Sequence, residues 1–127
     1  MKYKLEHGCI RVKDLDKSLD FYQNALSLKE VRRKDFPKFE FTLVYLSDEN
    51  NNYEIELTYN YNTEKPYDIG NGFSHFALTV ENLEESHKRH IDMGYDVGEL
   101  KGLPGENPKY YFLKDPDGYA IEIIRAQ

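Results

Sequence analysis

The sequence predicts an α+β fold made of two similar halves. Three observations carry that prediction. A set of spaced residues occurs twice, each copy opens as a strand leading into an amphipathic helix, and each half closes on alternating apolar and polar runs. After His7, Val12, Leu15 and Ser18 follow at offsets of 5, 8 and 11, and after His75, Val80, Leu83 and Ser86 fall at the same offsets. A half of about 60 residues is marginal alone, because so short a chain buries too small a share of its surface. The two halves are therefore expected to associate, within this chain or with a second copy.

In the first half a strand opens at His7. Leu15, Leu19, Tyr22 and Leu26 then share a face at helical spacing, with Asp14 placed to cap the helix. There is room for a strand at 28–33. Runs 39–46 and 53–59 alternate in polarity around the turn residues Asp48-Glu49-Asn50-Asn51-Asn52. The basic run Arg32-Arg33-Lys34, followed by Asp35, reads as a solvated loop or strand end. Pro66, Gly70 and Gly72 mark 65–72 as a linker.

In the second half a strand opens at His75. Asn82 and Glu85 have capping-box spacing, and Gly94 is placed to stop the helix. Leu83, His87 or His90, and Ile91 share its face less cleanly. His87 and His90, set among Glu, Lys and Arg, read as solvated helix residues. A further strand fits near 95–100. Strands at 110–113 and 119–124 flank Asp115-Pro116-Asp117-Gly118, a tight hairpin connection that sets the register of the last strand.

Composition bounds the function. With 17 Lys and Arg against 23 Asp and Glu, the net charge is -6. That argues against nucleic acid as a main partner, since phosphate binding needs a basic face. No apolar run approaches the roughly 20 residues that span a bilayer. The opening MKYKLEHGCIRVKD has no signal-peptide apolar stretch. A single cysteine, Cys9, excludes an intramolecular disulfide and suits a reducing, cytoplasmic setting. Cys9 itself reads as a small buried strand hydrophobe.

The repeat gives meaning to four residues. His7 and His75 start matching strands, and Glu56 and Glu122 lie in matching runs, Ile-Glu-Leu and Ile-Glu-Ile. A carboxylate between two large apolar neighbours points to the sheet face opposite them. Two imidazoles and two carboxylates can hold a divalent metal and leave positions open for a substrate. Zn, Ni, Co, Fe and Mn all accept such ligands.

The stretches HGCIRVKDLDKSLDFYQNALSLK, EIELTYNYN, GFSHFALTVENLEE and DPDGYAIEII resemble the vicinal oxygen chelate superfamily, and within it the glyoxalase I (lactoylglutathione lyase) family. The pair IELTYN and GFSHFAL is the more specific to glyoxalase I. The resemblance implies a single domain over 1–127, made of two βαβββ modules of about 1–66 and 67–127 with curved mixed β-sheets, and a homodimer. It implies isomerisation of the hemithioacetal of methylglyoxal and glutathione, a small-molecule substrate. It places the metal ligands on His7, Glu56, His75 and Glu122 and the catalytic base on Glu122, with Glu56 as the alternative base. Arg11 and Asn60 match positions that contact the γ-glutamyl end of glutathione, and Lys109 is a candidate for its glycyl carboxylate. At Asn71 the chain departs from the eukaryotic members, which carry an Arg near there, so another low-mass thiol stands beside glutathione as partner. Short bacterial members imply nickel as the metal, with cobalt and zinc as alternatives. The competing reading is another metal enzyme of the superfamily: an epimerase acting next to a thioester, a ring-cleaving dioxygenase or a thiol transferase. Glu56 argues against these, because it fills a fourth position that such relatives leave to an amide or do not use.

Overall fold

The computed structural model describes residues 1–127, which divide into two compact units, Met1–Asp68 and Ile69–Gln127. The first contains β1 (His7–Arg11), α1 (Leu15–Leu26), β2 (Lys29–Phe36), a 3-10 turn at Pro37–Phe39, β3 (Phe41–Ser47) and β4 (Glu54–Asn60). The second contains β5 (His75–Val80), α2 (Leu83–Asp92), β6 (Asp96–Val97), β7 (Tyr110–Lys114) and β8 (Ala120–Arg125). Both are βαβββ units, so the expected α+β fold of two such modules is the one observed.

Each unit forms an open four-stranded mixed sheet, ordered β1-β4-β3-β2 in the first and β5-β8-β7-β6 in the second. The helical crossover after the first strand sends the chain to the far edge of the sheet. The last strand then returns between its hairpin partner and the first strand, and pairs with the first strand in parallel. The His-bearing strand is thus an edge, and the Glu-bearing strand is paired on both sides.

Local chemistry explains the element ends. Asp14 accepts the amide of Lys17 at 3.1 Å, and Asn82 accepts that of Glu85 at 3.0 Å, so both helices start at capped turns. Gly94, at φ 85°, takes the left-handed conformation that ends α2. In the turn before β4, Asp48 Oδ1 accepts the amides of Asn50 and Asn51. In the turn before β8, buried Asp115 accepts the amides of Asp117 and Tyr119, each at 2.9 Å, and Gly118 adopts φ 95°. This turn locks the pairing of Lys114 with Ala120 and hence the register of β8.

The core of each unit lies on one sheet face. In the first, Ile10, Val44, Leu46, Ile55 and Leu57 are buried with Phe21, Tyr22 and Ala25 of α1. Of the expected face, Tyr22 is fully buried and Leu15, Leu19 and Leu26 are half-buried at its edge, while Ser18, Phe21 and Ala25 point inward beside Tyr22. The two aromatic rings, packed edge to face at 5.1 Å, bury more area than leucines could and turn the helix toward themselves.

In the second unit Tyr111, Leu113, Ile121 and Ile123 are buried with Leu83 and His90. His90 is only 2% exposed, which overturns its reading as a solvated residue. The hydroxyl of Tyr111 bonds both His90 Nδ1, at 2.7 Å, and Ser86 Oγ, at 2.6 Å, so the buried polar groups are satisfied. His87 reaches the carbonyl of Gly98 at 2.8 Å. The strand expected at 95–100 shortens to two residues, although Gly98 still donates to the Phe112 carbonyl at 2.8 Å. The run Arg32-Arg33-Lys34 is the middle of β2 rather than a loop or strand end, because Arg32 is held by Glu54 and Arg33 by Glu30. No helix is long and apolar enough to cross a membrane.

Candidate metal centre

On the face of each sheet away from its core, one imidazole lies beside a carboxylate of the neighbouring strand. In the first unit β1 presents His7, Cys9 and Arg11 on that face, and β4 presents Glu54, Glu56, Thr58 and Asn60. The parallel register pairs His7 with Glu54 and Cys9 with Glu56, which sets Glu56 diagonally beside His7. His7 Nε2 lies 3.3 Å from Glu56 Oε2. In the second unit His75 pairs with Ala120 and Ala77 with Glu122, the same diagonal, and His75 Nε2 lies 3.2 Å from Glu122 Oε1.

These separations suit a shared cation. Two donors each about 2.1 Å from one ion lie roughly 3.0–3.4 Å apart, depending on the angle between them. The second ring nitrogens are also engaged. His7 Nδ1 is 2.7 Å from a Glu6 carboxylate oxygen, and His75 Nδ1 is 2.6 Å from Ser74 Oγ. A carboxylate only accepts, so His7 donates from Nδ1 to Glu6, which leaves Nε2 as the ring nitrogen that faces Glu56. An imidazole nitrogen and a carboxylate oxygen at 3.3 Å are both atoms that can ligate a divalent cation. The donor chemistry therefore fits a divalent metal. Neither unit arranges three or more such side chains for a metal by itself, and each offers one His–Glu pair.

The two pairs sit in different surroundings. Each imidazole packs edge-on against the aromatic ring directly across from its glutamate: Tyr45 for His7 at 5.6 Å, and Phe112 for His75 at 5.1 Å. Tyr45 adds a hydroxyl that bonds Glu56. Thr58 Oγ1 donates to Glu56 Oε1 at 3.4 Å and lies 3.1 Å from Cys9 Sγ. Burial works to raise the Glu56 carboxyl, but bonds from Tyr45 and Cys9, the charge of His7 and the Thr58 hydroxyl outweigh it and hold the group below the usual carboxylate range. Burial, together with the bond to Glu56, pushes the Tyr45 phenol up to about 12, so it stays a donor at neutral pH. Arg32 stacks 3.7 Å over the Tyr45 ring and donates to Glu54 from two nitrogens. Around Glu122 the corresponding positions are Ala77, Ile124 and Phe112, whose side chains carry no N–H or O–H.

Cys9 is exposed on this open face, not a buried hydrophobe, because the core lies on the other side of β1 with Ile10. Partial burial of its thiol, with the neighbouring Glu56, pushes the group up, so it remains a thiol at neutral pH. Arg11 lies opposite Thr58, and Asn60 follows two residues later on the same face, donating to the Tyr67 hydroxyl at 3.1 Å. Lys109 precedes β7 in the second unit, is exposed, and pairs with Glu106 at 3.4 Å. Sequence reasoning missed Glu6, Tyr45 and Thr58. A polar residue before each repeat histidine, Glu6 and Ser74, was the available signal. Tyr45 carried none, because only the register across β3 and β4 sets it opposite Glu56.

A βαβββ unit occurring twice, each with an imidazole–carboxylate pair on its open face, defines a member of a repeated α+β class. The Glyoxalase/Bleomycin resistance protein/Dioxygenase superfamily model matches residues 4–123. The lactoylglutathione lyase of Neisseria meningitidis serogroup A is 42% identical over 127 residues, covering 98% of this chain and 91% of its own. Among solved structures, the trypanothione-dependent glyoxalase I of Leishmania major is similar at a TM-score of 0.87 and 32% identity, with 98% of this chain and 87% of that chain covered. Glyoxalase I of Zea mays is similar at a TM-score of 0.85 and 33% identity; 97% of this chain matches but only 44% of the maize chain, so this chain spans less than half the maize polypeptide. The chain belongs to the Glyoxalase/Bleomycin resistance protein/Dioxygenase superfamily and, within it, to the glyoxalase I family.

Proposed function

We propose that this chain is a metal-dependent lactoylglutathione lyase that isomerises the hemithioacetal of methylglyoxal and a low-mass thiol, glutathione in the first instance, to the lactoyl thioester. The observation that carries the reading is the His–Glu pair placed on the same diagonal in both units of a chain 42% identical to a lactoylglutathione lyase. His7, Glu56, His75 and Glu122 are the proposed metal ligands, with one divalent metal per site, nickel first and cobalt and zinc as alternatives. When bound, the metal supplies Lewis acidity toward the two vicinal oxygens of the substrate.

The proton moves through a carboxylate of the chain. Glu122 takes the proton from C1, the carbon bearing the hydroxyl and sulfur, and returns one to C2, while the C1 hydroxyl proton passes to the C2 oxygen, so that a ketone beside a thiohemiacetal becomes a secondary alcohol beside a thioester. No atom is gained or lost. Glu122 suits this role better than Glu56 because its flanking positions, Ala77, Ile124 and Phe112, offer no donors to occupy its lone pairs. Glu56 accepts bonds from Tyr45, Cys9 and Thr58 and is the steadier ligand. Arg11 can clamp a substrate carboxylate bidentately, Asn60 and Lys109 supply further polar contacts to the thiol, and the functional form is a cytoplasmic homodimer.

Metal-stripped protein, reloaded with single metals, is expected to consume the methylglyoxal–glutathione hemithioacetal and accumulate the thioester absorbance. No turnover with any of Ni, Co or Zn sinks the proposal. Parallel assays with other thiols decide which one the chain prefers.

A further inference from the structure

We propose that Glu6 and Tyr45 are positioning residues that make His7–Glu56 the fixed half of the ligand set. The second unit has Ser74 and Phe112 at the matching positions, so His75 and Glu122 lack the same bracing. The inference rests on the metal-dependent reading above and goes beyond it, because it names the two residues outside the ligand set that hold one pair in place.

The geometry separates the pairs at three points. First, the nitrogen of His7 away from Glu56 is held by a carboxylate at 2.7 Å, whereas that of His75 is held by the hydroxyl of Ser74 at 2.6 Å. A charged acceptor bonds about twice as strongly as a neutral one, locks the ring tautomer and makes the facing nitrogen a better donor to a cation. Second, the ring across from Glu56 carries a hydroxyl that bonds it, and the ring across from Glu122 does not. Third, Tyr45 is itself braced: it is 5% exposed, and Arg32, anchored on Glu54 at 2.7 Å, covers its ring. A ligand aimed by a braced donor keeps its place, while a carboxylate that must alternate between holding a metal and carrying a proton is better left without one.

Both residues can be altered without dismantling the fold. The Glu6 side chain is 70% exposed, and Tyr45→Phe keeps the ring packed against His7 and Arg32. The experiment measures equilibrium cobalt(II) affinity by chelator competition, with the visible spectrum of the cobalt-loaded chain, for the native protein, Glu6→Gln, Glu6→Asp, Tyr45→Phe and Ser74→Ala. Glu6→Gln and Tyr45→Phe are expected to weaken cobalt binding by about 10–100-fold and shift the spectrum. Glu6→Asp, which keeps the charge, should recover part of the loss, and Ser74→Ala should cost several-fold less than Glu6→Gln. Native-like affinity and spectrum in both Glu6→Gln and Tyr45→Phe overturn the positioning role while leaving the metal reading intact. Absence of cobalt binding by the native chain overturns both.

Discussion

The two units share a frame and differ in what dresses it. Strand order, parallel pairing and the diagonal between His and Glu coincide, so the backbone treats the two pairs alike. Side chains break the symmetry. On the open face the first unit surrounds its glutamate with a phenol, a thiol and a hydroxyl, and the second places phenylalanine, alanine and isoleucine at those points. In the core the contrast reverses. The first unit seats Tyr22 and Val44 where the second seats His90 and Tyr111, joined by a hydrogen bond. A duplicated frame can thus present the same His–Glu pair twice while each copy tunes its own, because aim is set by the backbone and tuning by a few cross-strand neighbours.

The largest expected effect separates the two carboxylates. Glu122→Gln should lower kcat by about 10²–10⁴-fold, the range of a lost general base, with metal content still measurable and no rescue by excess metal. Glu56→Gln should act through metal affinity, so that saturating metal restores much of the rate. Full activity in Glu122→Gln would remove it from the base role, and identical behaviour of the two variants would erase the contrast between units.

A smaller effect tests the cores. Tyr111→Phe removes the hydroxyl that bonds both His90 and Ser86, and should destabilise the chain by about 1–3 kcal/mol in urea unfolding. A change within about 0.5 kcal/mol would mean that this polar cluster is not part of what holds the second unit together.

The smallest effect is one of pH. The folded chain holds the Tyr45 proton up to about 12, against 10.0 for an ordinary phenol. Below that ordinary value the contribution of Tyr45 is fully present, and it is lost as pH rises from there through the folded value. Metal-stripped Tyr45→Phe should therefore lose less stability than the native chain between pH 9 and about 11.5, measured by denaturant midpoint. An equal loss in both would show that the hydroxyl does not anchor the first pair.

Much of this molecule was legible from its residues. The caps at Asp14 and Asn82, the stop at Gly94 and the turn at Asp115–Gly118 depend on neighbours within a few positions, and they stand where the spacing put them. The repeat also placed His7 and His75 at strand starts and both glutamates opposite the core, because alternation along a strand is a local property. The exposure of His90, the loop or strand-end reading of Arg32–Lys34 and the burial of Cys9 went astray for one reason: each depends on which element packs against which residue.

The sequence by itself determined two βαβββ units, each with one imidazole and one carboxylate, since periodicity, caps and turns are set over short stretches of chain. Only the tertiary structure decided that Tyr45 faces Glu56 while Phe112 faces Glu122, and that Glu6 holds one imidazole where Ser74 holds the other. Those pairings follow from register between strands and from side-chain placement beside them, which depend on hydrogen bonds formed between distant parts of the chain.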